Sequence, residues 1–259
     1  MATYVDSHKA PGKGAFYDEY YATEPVLQYL WEKEQEVLVG ILAEFYAGTP
    51  IDLLDFACGT RRIAGALDDK VRSATEVDVS ESMLEVARRK LRRTSLLNAN
   101  VLEQPMFPGR TFNLITAFRF FANAEPELRR GALRALEPLL ADDGYLVFNT
   151  HQNEGAMFTR LARAYRRLRR RPTDATLSLD ECRNLLAEIG LEIERVYPVG
   201  LVHLPYVNLP HAIYRAADRL ASTSAMLTAM SESPIIVARR HREARTGTDG
   251  ISPVAPVGR

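Results

Sequence analysis

Residues 51–64 read Ile-Asp-Leu-Leu-Asp-Phe-Ala-Cys-Gly-Thr-Arg-Arg-Ile-Ala, and this stretch constrains the fold more tightly than any other. An apolar run ends on Asp55, a turn of small residues follows (Ala57, Cys58, Gly59, Thr60), and a helix-like segment opens behind it. That order describes a buried parallel strand, a tight turn and a helix N-terminus. Small residues let a nucleotide-like ligand approach the backbone, and a helix start offers N–H groups without intrahelical partners. A second acid, Asp78, closes the next apolar stretch, Ala74-Thr-Glu-Val-Asp-Val79. It lies roughly 20 residues downstream, where such folds place an acid on a ribose.

The alternation continues along the chain. Pro25 opens a helix whose stripe is Val26, Leu27, Leu30, Val37, Leu38, Leu42 and Phe45, and Gly48 and Pro50 end it. Strands are predicted at 51–56, 73–79, 95–102, 112–118, 145–148, 191–199 and 234–238. Helices are predicted at 61–67, 81–92 (capped by Ser80), 125–140, 153–171 and 179–189. Alternating strands and helices give an α/β class with a doubly wound sheet. Residues 1–16 read as a flexible N-terminus or lid and 17–243 as one domain. Within it, 203–231 reads as a small helical cap insertion, and 244–259 as a disordered tail.

The motif Asp55-Phe-Ala57-Cys-Gly59-Thr-Arg61, with Asp78 and the segment Val79-Ser-Glu-Ser-Met83-Leu84, resembles class I S-adenosylmethionine-dependent methyltransferases. The family pattern is an acid followed by alternating glycines. Ala57 replaces the first glycine, a small change, and Arg61 replaces the third, where glycine permits a special dihedral or close helix packing. Two readings of Arg61 follow. Either its long stem runs outward to solvent and the turn is intact, or cofactor binding has been altered or lost. The resemblance spans about residues 15–240 and implies a Rossmann-like seven-stranded sheet with helices on both faces. Its last strand would be antiparallel and inserted beside the fifth.

The resemblance also assigns a site for S-adenosyl-L-methionine. Asp55 would orient the turn and approach the methionine end, while Ala57 and Gly59 leave room. Asp78 would accept hydrogen bonds from the ribose hydroxyls. Met83 would lie against the adenine, or else simply pack in the core. Asn100 stands where many relatives carry an acid facing the adenine amino group. Tyr17 and Tyr21, in Phe16-Tyr-Asp-Glu-Tyr-Tyr21, resemble a tyrosine-rich lid that touches the cofactor. Phe118 and Arg119 end the fourth strand, where the family places methyl transfer, and Arg119 would hold an anionic group or the cofactor carboxylate. His151 directly follows the fifth strand. Titrating near neutrality, it is the candidate base for a hydroxyl acceptor.

Composition narrows the function further. The chain has 259 residues, zero formal net charge and 46% hydrophobic content, so no global field draws it to nucleic acid or membranes. Its two cysteines and five histidines show no zinc spacing, and no metal site is expected. No apolar run is long enough to span a bilayer, so stable membrane insertion is not expected. The N-terminus has no signal-peptide core, so a cytoplasmic protein is expected. On the helix around 158–171, Phe158, Leu161, Tyr165 and Leu168 form one face and Arg160, Arg163, Arg167 and Arg170 lie about opposite; phosphate-bearing substrates, nucleic acid or an anionic bilayer surface could use such a face, and a solvated charged face is its plain reading. There is no N-P-P-Y-like run after the fourth strand and no G-x-G-x-x-G fingerprint. What the family resemblance implies is methyl transfer to oxygen or nitrogen, on family frequency alone, of a small-molecule or glycan-type metabolite, with a homodimer left open. The rival is a repurposed or catalytically inactive methyltransferase fold that binds or scaffolds, or that runs another reaction.

Overall fold

The structure is a computed structural model, and it describes residues 12–90, 95–103, 106–170, 176–202 and 209–241. The expected tail from 244 lies outside these residues, as does most of the expected N-terminal lid. Helix α1 (Lys13–Thr23) leads into α2 (Pro25–Phe45), with Pro25 in the first turn where its missing N–H costs nothing. The buried side of α2 carries Tyr29, Leu30, Val37, Leu38, Ile41 and Leu42, with the acid Glu34 among them. Then follow β1 (Asp52–Phe56), α3 (Arg62–Leu67), β2 (Ser73–Asp78), α4 (Glu81–Arg89), β3 (Ser95–Asn98) and β4 (Phe112–Ala117). The second half holds α5 (Pro126–Leu136), β5 (Leu140–Asn149), α6 (Met157–Leu168), α7 (Leu179–Ala187) and β6 (Leu191–Tyr197). It closes with α8 (His211–Ala221), α9 (Ala225–Ala229) and β7 (Ile235–Arg240).

The seven strands form one sheet in the order β3-β2-β1-β4-β5-β7-β6. β7 alone runs against its neighbours β5 and β6, as the family resemblance implies. Side chains alternate across the sheet. Leu53, Leu114, Val147 and Val237 join α2 and α3 on one face, whereas Leu54, Ile115, Leu146 and Ile236 join α5 and α7 on the other. Chain order reverses at β1, which pairs in parallel with both β2 and β4. A crevice therefore opens beyond the carboxyl ends of these strands, the place where open α/β sheets bind ligands.

Several boundaries differ from expectation. β3 stops at Asn98, not 102, because Asn100 bends the chain: its Oδ1 accepts the Leu102 N–H at 3.1 Å. β5 starts at Leu140, not 145, and Asp142-Asp-Gly144 is absorbed as an irregularity in its pairing with β4. α6 is shorter at both ends than the 153–171 expected. The described part of the insertion, 209–231, docks on α2. There Tyr29 donates to Asp218 Oδ2 at 2.8 Å and stacks on Tyr214 with centroids 5.0 Å apart.

α1 lies on α4 through Gly14. A Cβ there would stand 2.2 Å from the Ser82 carbonyl oxygen and 3.1 Å from Met83 Cα, both backbone atoms. Asp18 adds a tie by accepting the Thr60 hydroxyl at 3.2 Å. We expect Gly14→Ala to lift α1, because forced overpacking costs about 1–3 kcal/mol. Hydrogen exchange of residues 13–23 should then quicken by roughly tenfold or more while the strands keep their protection. Unchanged exchange would show that α1 does not depend on this contact.

Candidate functional site

The turn between β1 and α3 sets the geometry of the site. Its alternate residues Ala57, Gly59 and Arg61 have φ of 54°, 56° and 70°. These are the three positions at which the family pattern places glycine, and the left-handed backbone explains that preference. The turn is tied down by two acids. Asp55 accepts the Thr116 hydroxyl at 2.7 Å and the Ala64 N–H at 3.3 Å, fastening β1 to β4 and to the first turn of α3. Asp78 accepts the Gly59 N–H at 2.9 Å and the Ser80 N–H at 2.8 Å. Burial pushes the Asp55 carboxyl up to about 8, and the charge of Glu76, its partner in the β1–β2 register, adds to this. Asp78 is also raised by burial, against the pull of its backbone donors.

Arg61 corrects the sequence reading. Its side chain does not run outward; it is 2% exposed. Nε donates to Glu76 Oε1 at 2.7 Å, Nη1 to Asp68 Oδ2 at 2.8 Å and to the Lys90 carbonyl at 2.9 Å. The left-handed backbone turns the stem away from the crevice and onto the buried Glu76. Arg61 therefore acts as a strut from the turn to β2 and α3, and it leaves the crevice open.

The crevice is a cavity of about 240 Å³ at the carboxyl ends of β1, β2, β4 and β5. Asp55, Ala57, Gly59, Asp78 and Met83 line it from the β1–β2 side, and Phe118, Arg119 and His151 from the β4–β5 side. Tyr17 and Tyr21 of α1 close it, with ring centroids 4.7 Å apart. Met83 is both buried and at the wall, so its packing and lining readings hold together. Asn100 is not part of this wall. Its amide bonds Leu102 N and Glu103 Oε1, closing a local turn after β3.

A second cluster faces the first across the cavity. Arg119, at φ 58°, donates from Nη2 to Glu34 at 3.0 and 3.1 Å and from Nη1 to the Tyr21 hydroxyl. Its guanidinium carbon lies 4.5 Å from the Tyr21 ring centroid, and that of Arg62 lies 3.9 Å away. Burial opposes the Arg119 charge, but Glu34 and the tyrosines beside it raise its pKa all the same. Asn149 holds the cluster in place. Its Oδ1 accepts the Arg119 N–H at 2.7 Å and its Nδ2 donates to Glu34 Oε1 at 3.2 Å. Arg62 shares the same carboxylate only loosely, at 3.9 Å, and its Nη1 and Nη2 are buried without a hydrogen-bond partner among the described residues. Two guanidiniums thus share one acid, leaving positive charge at the wall. Burial and Arg119 lower the Arg62 pKa.

His151 also departs from expectation. Burial and then the Arg119 charge push its imidazole down to about 3, far from neutrality. Asn123 donates through Nδ2 to the Arg119 carbonyl at 2.9 Å, so its Oδ1 faces His151 Nε2 at 3.1 Å as acceptor. The network therefore assigns the proton to Nε2 and leaves the lone pair on Nδ1, which is buried with no partner among the described residues.

Glu34, Arg62 and Asn149 were missed by sequence reasoning. Glu34 carried a signal, an acid set between Leu30 and Leu38 on the apolar face of α2. Nothing in the order of residues marked Arg62 or Asn149.

Residues 53–144 match the profile of a family described as a methyltransferase domain. No curated protein matches the chain. Among solved structures, it is similar to magnesium protoporphyrin IX methyltransferase from Synechocystis PCC 6803 with bound S-adenosylhomocysteine. The two are 12% identical over 84% of this chain and 86% of that one, with a TM-score of 0.61. A Thermotoga maritima S-adenosylmethionine-dependent methyltransferase, described as a possible histamine N-methyltransferase, is 16% identical over 88% and 97%, with a TM-score of 0.61. The N-methyltransferase NodS of Bradyrhizobium japonicum is 15% identical over 82% and 88%, with a TM-score of 0.53.

The buried strut generates a prediction. Arg61→Gly relieves about 1–2 kcal/mol of left-handed strain but removes the guanidinium from the buried Glu76, and breaking a buried pair costs about 3–5 kcal/mol. The variant should melt at a lower temperature than wild type. A higher melting temperature would mean that the arginine is only tolerated in the turn.

Proposed function

From a chain that carries a methyltransferase domain and folds as a class I S-adenosylmethionine-dependent methyltransferase, we propose that it moves a methyl group to oxygen or nitrogen of a small-molecule or glycan-type metabolite. The observation that carries this reading is the convergence of Asp55, Gly59 and Asp78 on one cavity at the switch point of the sheet. S-Adenosylmethionine, when bound, supplies a methyl group already activated on a sulfonium. The residues suit such a donor. A Cβ at Gly59 would meet nothing within 4 Å, so the turn faces open space. Asp78 lines the cavity and would take the ribose hydroxyls. Arg62 and Arg119 line the same cavity beside one acid, Glu34, and would favour an anionic group such as a carboxylate there.

Little further chemistry is required of the protein. Its work is to align donor and acceptor and to exclude water. Tyr17 and Tyr21 cover the cavity for the second purpose. His151 lines the cavity and would hydrogen-bond the proton of a hydroxyl acceptor. With a pKa near 3 it stays neutral through the physiological range, so it holds the proton by hydrogen bonding and does not rest as imidazolium. Arg61 and Asn100 suggested a scaffold without turnover, and Arg61 no longer supports that reading, because its side chain points away from the cavity.

Release of S-adenosylhomocysteine in a screen of hydroxyl- and amine-bearing acceptors tests the activity. Turnover with none, by a protein that binds the donor, would contradict it. We expect Asp78→Ala to weaken donor binding by about 1.5–3 kcal/mol, the worth of a charged hydrogen bond. An unchanged dissociation constant in the folded variant would remove Asp78 from the site. His151→Ala should slow a hydroxyl acceptor by roughly 10-fold, the worth of about one hydrogen bond, while the donor still binds. The wild-type rate should show no histidine limb between pH 5 and 8, since the folded pKa lies near 3. A limb near pH 6.5 lost in the variant would contradict this placement. Near-normal turnover of the variant would favour an amine acceptor or alignment alone.

A further inference from the structure

Helix α6 is reversed relative to a helix that packs on a core. Its protein-facing side is polar. The buried Thr159 hydroxyl donates to Glu232 at 2.8 Å, and Arg163 donates to Glu154 at 2.5 Å and to Thr176 at 2.7 Å. Its outer side is apolar. Met157, Leu161, Tyr165 and Leu168 are 47, 60, 54 and 81% exposed. At 3.6 residues per turn these four fall within an arc of about 80°. Arg160 and Arg167 border the arc on one edge. Arg169 borders it on the other, with its guanidinium 5.6 Å from the Tyr165 ring. Six arginines and no acid lie between Met157 and Arg170, although the whole chain is neutral.

An outward stripe of large apolar side chains edged by guanidiniums needs a partner that satisfies both. Nucleic acid would use the arginines and leave the stripe in water. A second copy docked two-fold on this face would bring two sets of six arginines together. An anionic bilayer surface takes both parts. The apolar tips enter the acyl boundary, while the arginine stems reach back to the headgroup phosphates. We propose that α6 is an interfacial helix that seats the protein on an anionic lipid surface, lying on it without spanning it. Among the described residues no helix is long and apolar enough to cross a membrane. The helix starts at Met157, shortly after His151 at the cavity wall, so the docked protein would hold its cavity beside the lipid.

Vesicle flotation of the full chain tests this, using phosphatidylcholine alone and phosphatidylcholine mixed with phosphatidylglycerol. The protein should float with the mixed vesicles, release as salt is raised, and stay down with phosphatidylcholine alone. Leu161→Glu with Leu168→Glu should lower the bound fraction by about tenfold or more with no change in melting temperature, since both side chains face solvent. Should that variant fold poorly, Arg160→Gln with Arg167→Gln should weaken flotation and its salt dependence together. No flotation with mixed vesicles at low salt would overturn the proposal, as would equal flotation of folded variants. A dimer in light scattering that the Leu161→Glu, Leu168→Glu variant dissolves would overturn it too, and would assign the face to a second copy.

Discussion

One turn governs this molecule. Between Phe56 and Arg62 the chain must leave a central strand, reverse and begin a helix, and it does so with left-handed residues at every second position. Glycine meets that demand without strain, but here glycine stands at only one of the three positions. The chain compensates at the others. Ala57 has the smallest side chain with a Cβ, and Arg61 repays its backbone cost by reaching the fully buried Glu76. Asp78 completes the arrangement by receiving the Gly59 N–H. The open floor of the cavity follows from these ties, because each draws side chains toward the sheet and away from the crevice.

The opposite wall depends on a different device. Glu34 sits on the buried face of α2, where an acid is costly unless paired. Arg119 and Asn149 satisfy it, Arg62 stands nearby, and the group joins α2 to the ends of β4 and β5. Within this cluster two guanidiniums share the one acid. The cluster also accounts for His151, whose imidazole is held neutral by burial and by the Arg119 guanidinium. The two walls thus differ in chemistry, one offering carboxylates and open backbone, the other guanidinium donors and a neutral imidazole lone pair.

Much of this was legible in the residues. The run 51–56, the small turn and Asp78 announced β1, the crevice and its second acid, because strand periodicity and turn chemistry are local. The antiparallel β7 beside β5 came only from family resemblance, since an apolar run does not state its direction. Arg61 was misread because its partner is set by register. Glu76 lies beside Asp55 only once β1 and β2 pair, and nothing local says so. His151 was correctly placed at the end of β5 but given an ordinary titration, because burial and the Arg119 charge exist only in the folded molecule. The end of β3 was misplaced for a local reason, as the Asn100 amide closes a turn that ends the strand early. The apolar tips of α6 were visible as a stripe, but only the fold shows that they face solvent and not the core.

We propose that this turn, with an alanine and an arginine at two glycine positions, builds a working cofactor site. Isothermal titration of the intact protein with S-adenosylmethionine and with S-adenosylhomocysteine tests this directly. Saturable binding of both is expected, one molecule per chain. A folded protein that binds neither would contradict it, and would mean that the Arg61 strut preserves the fold of the turn without its function.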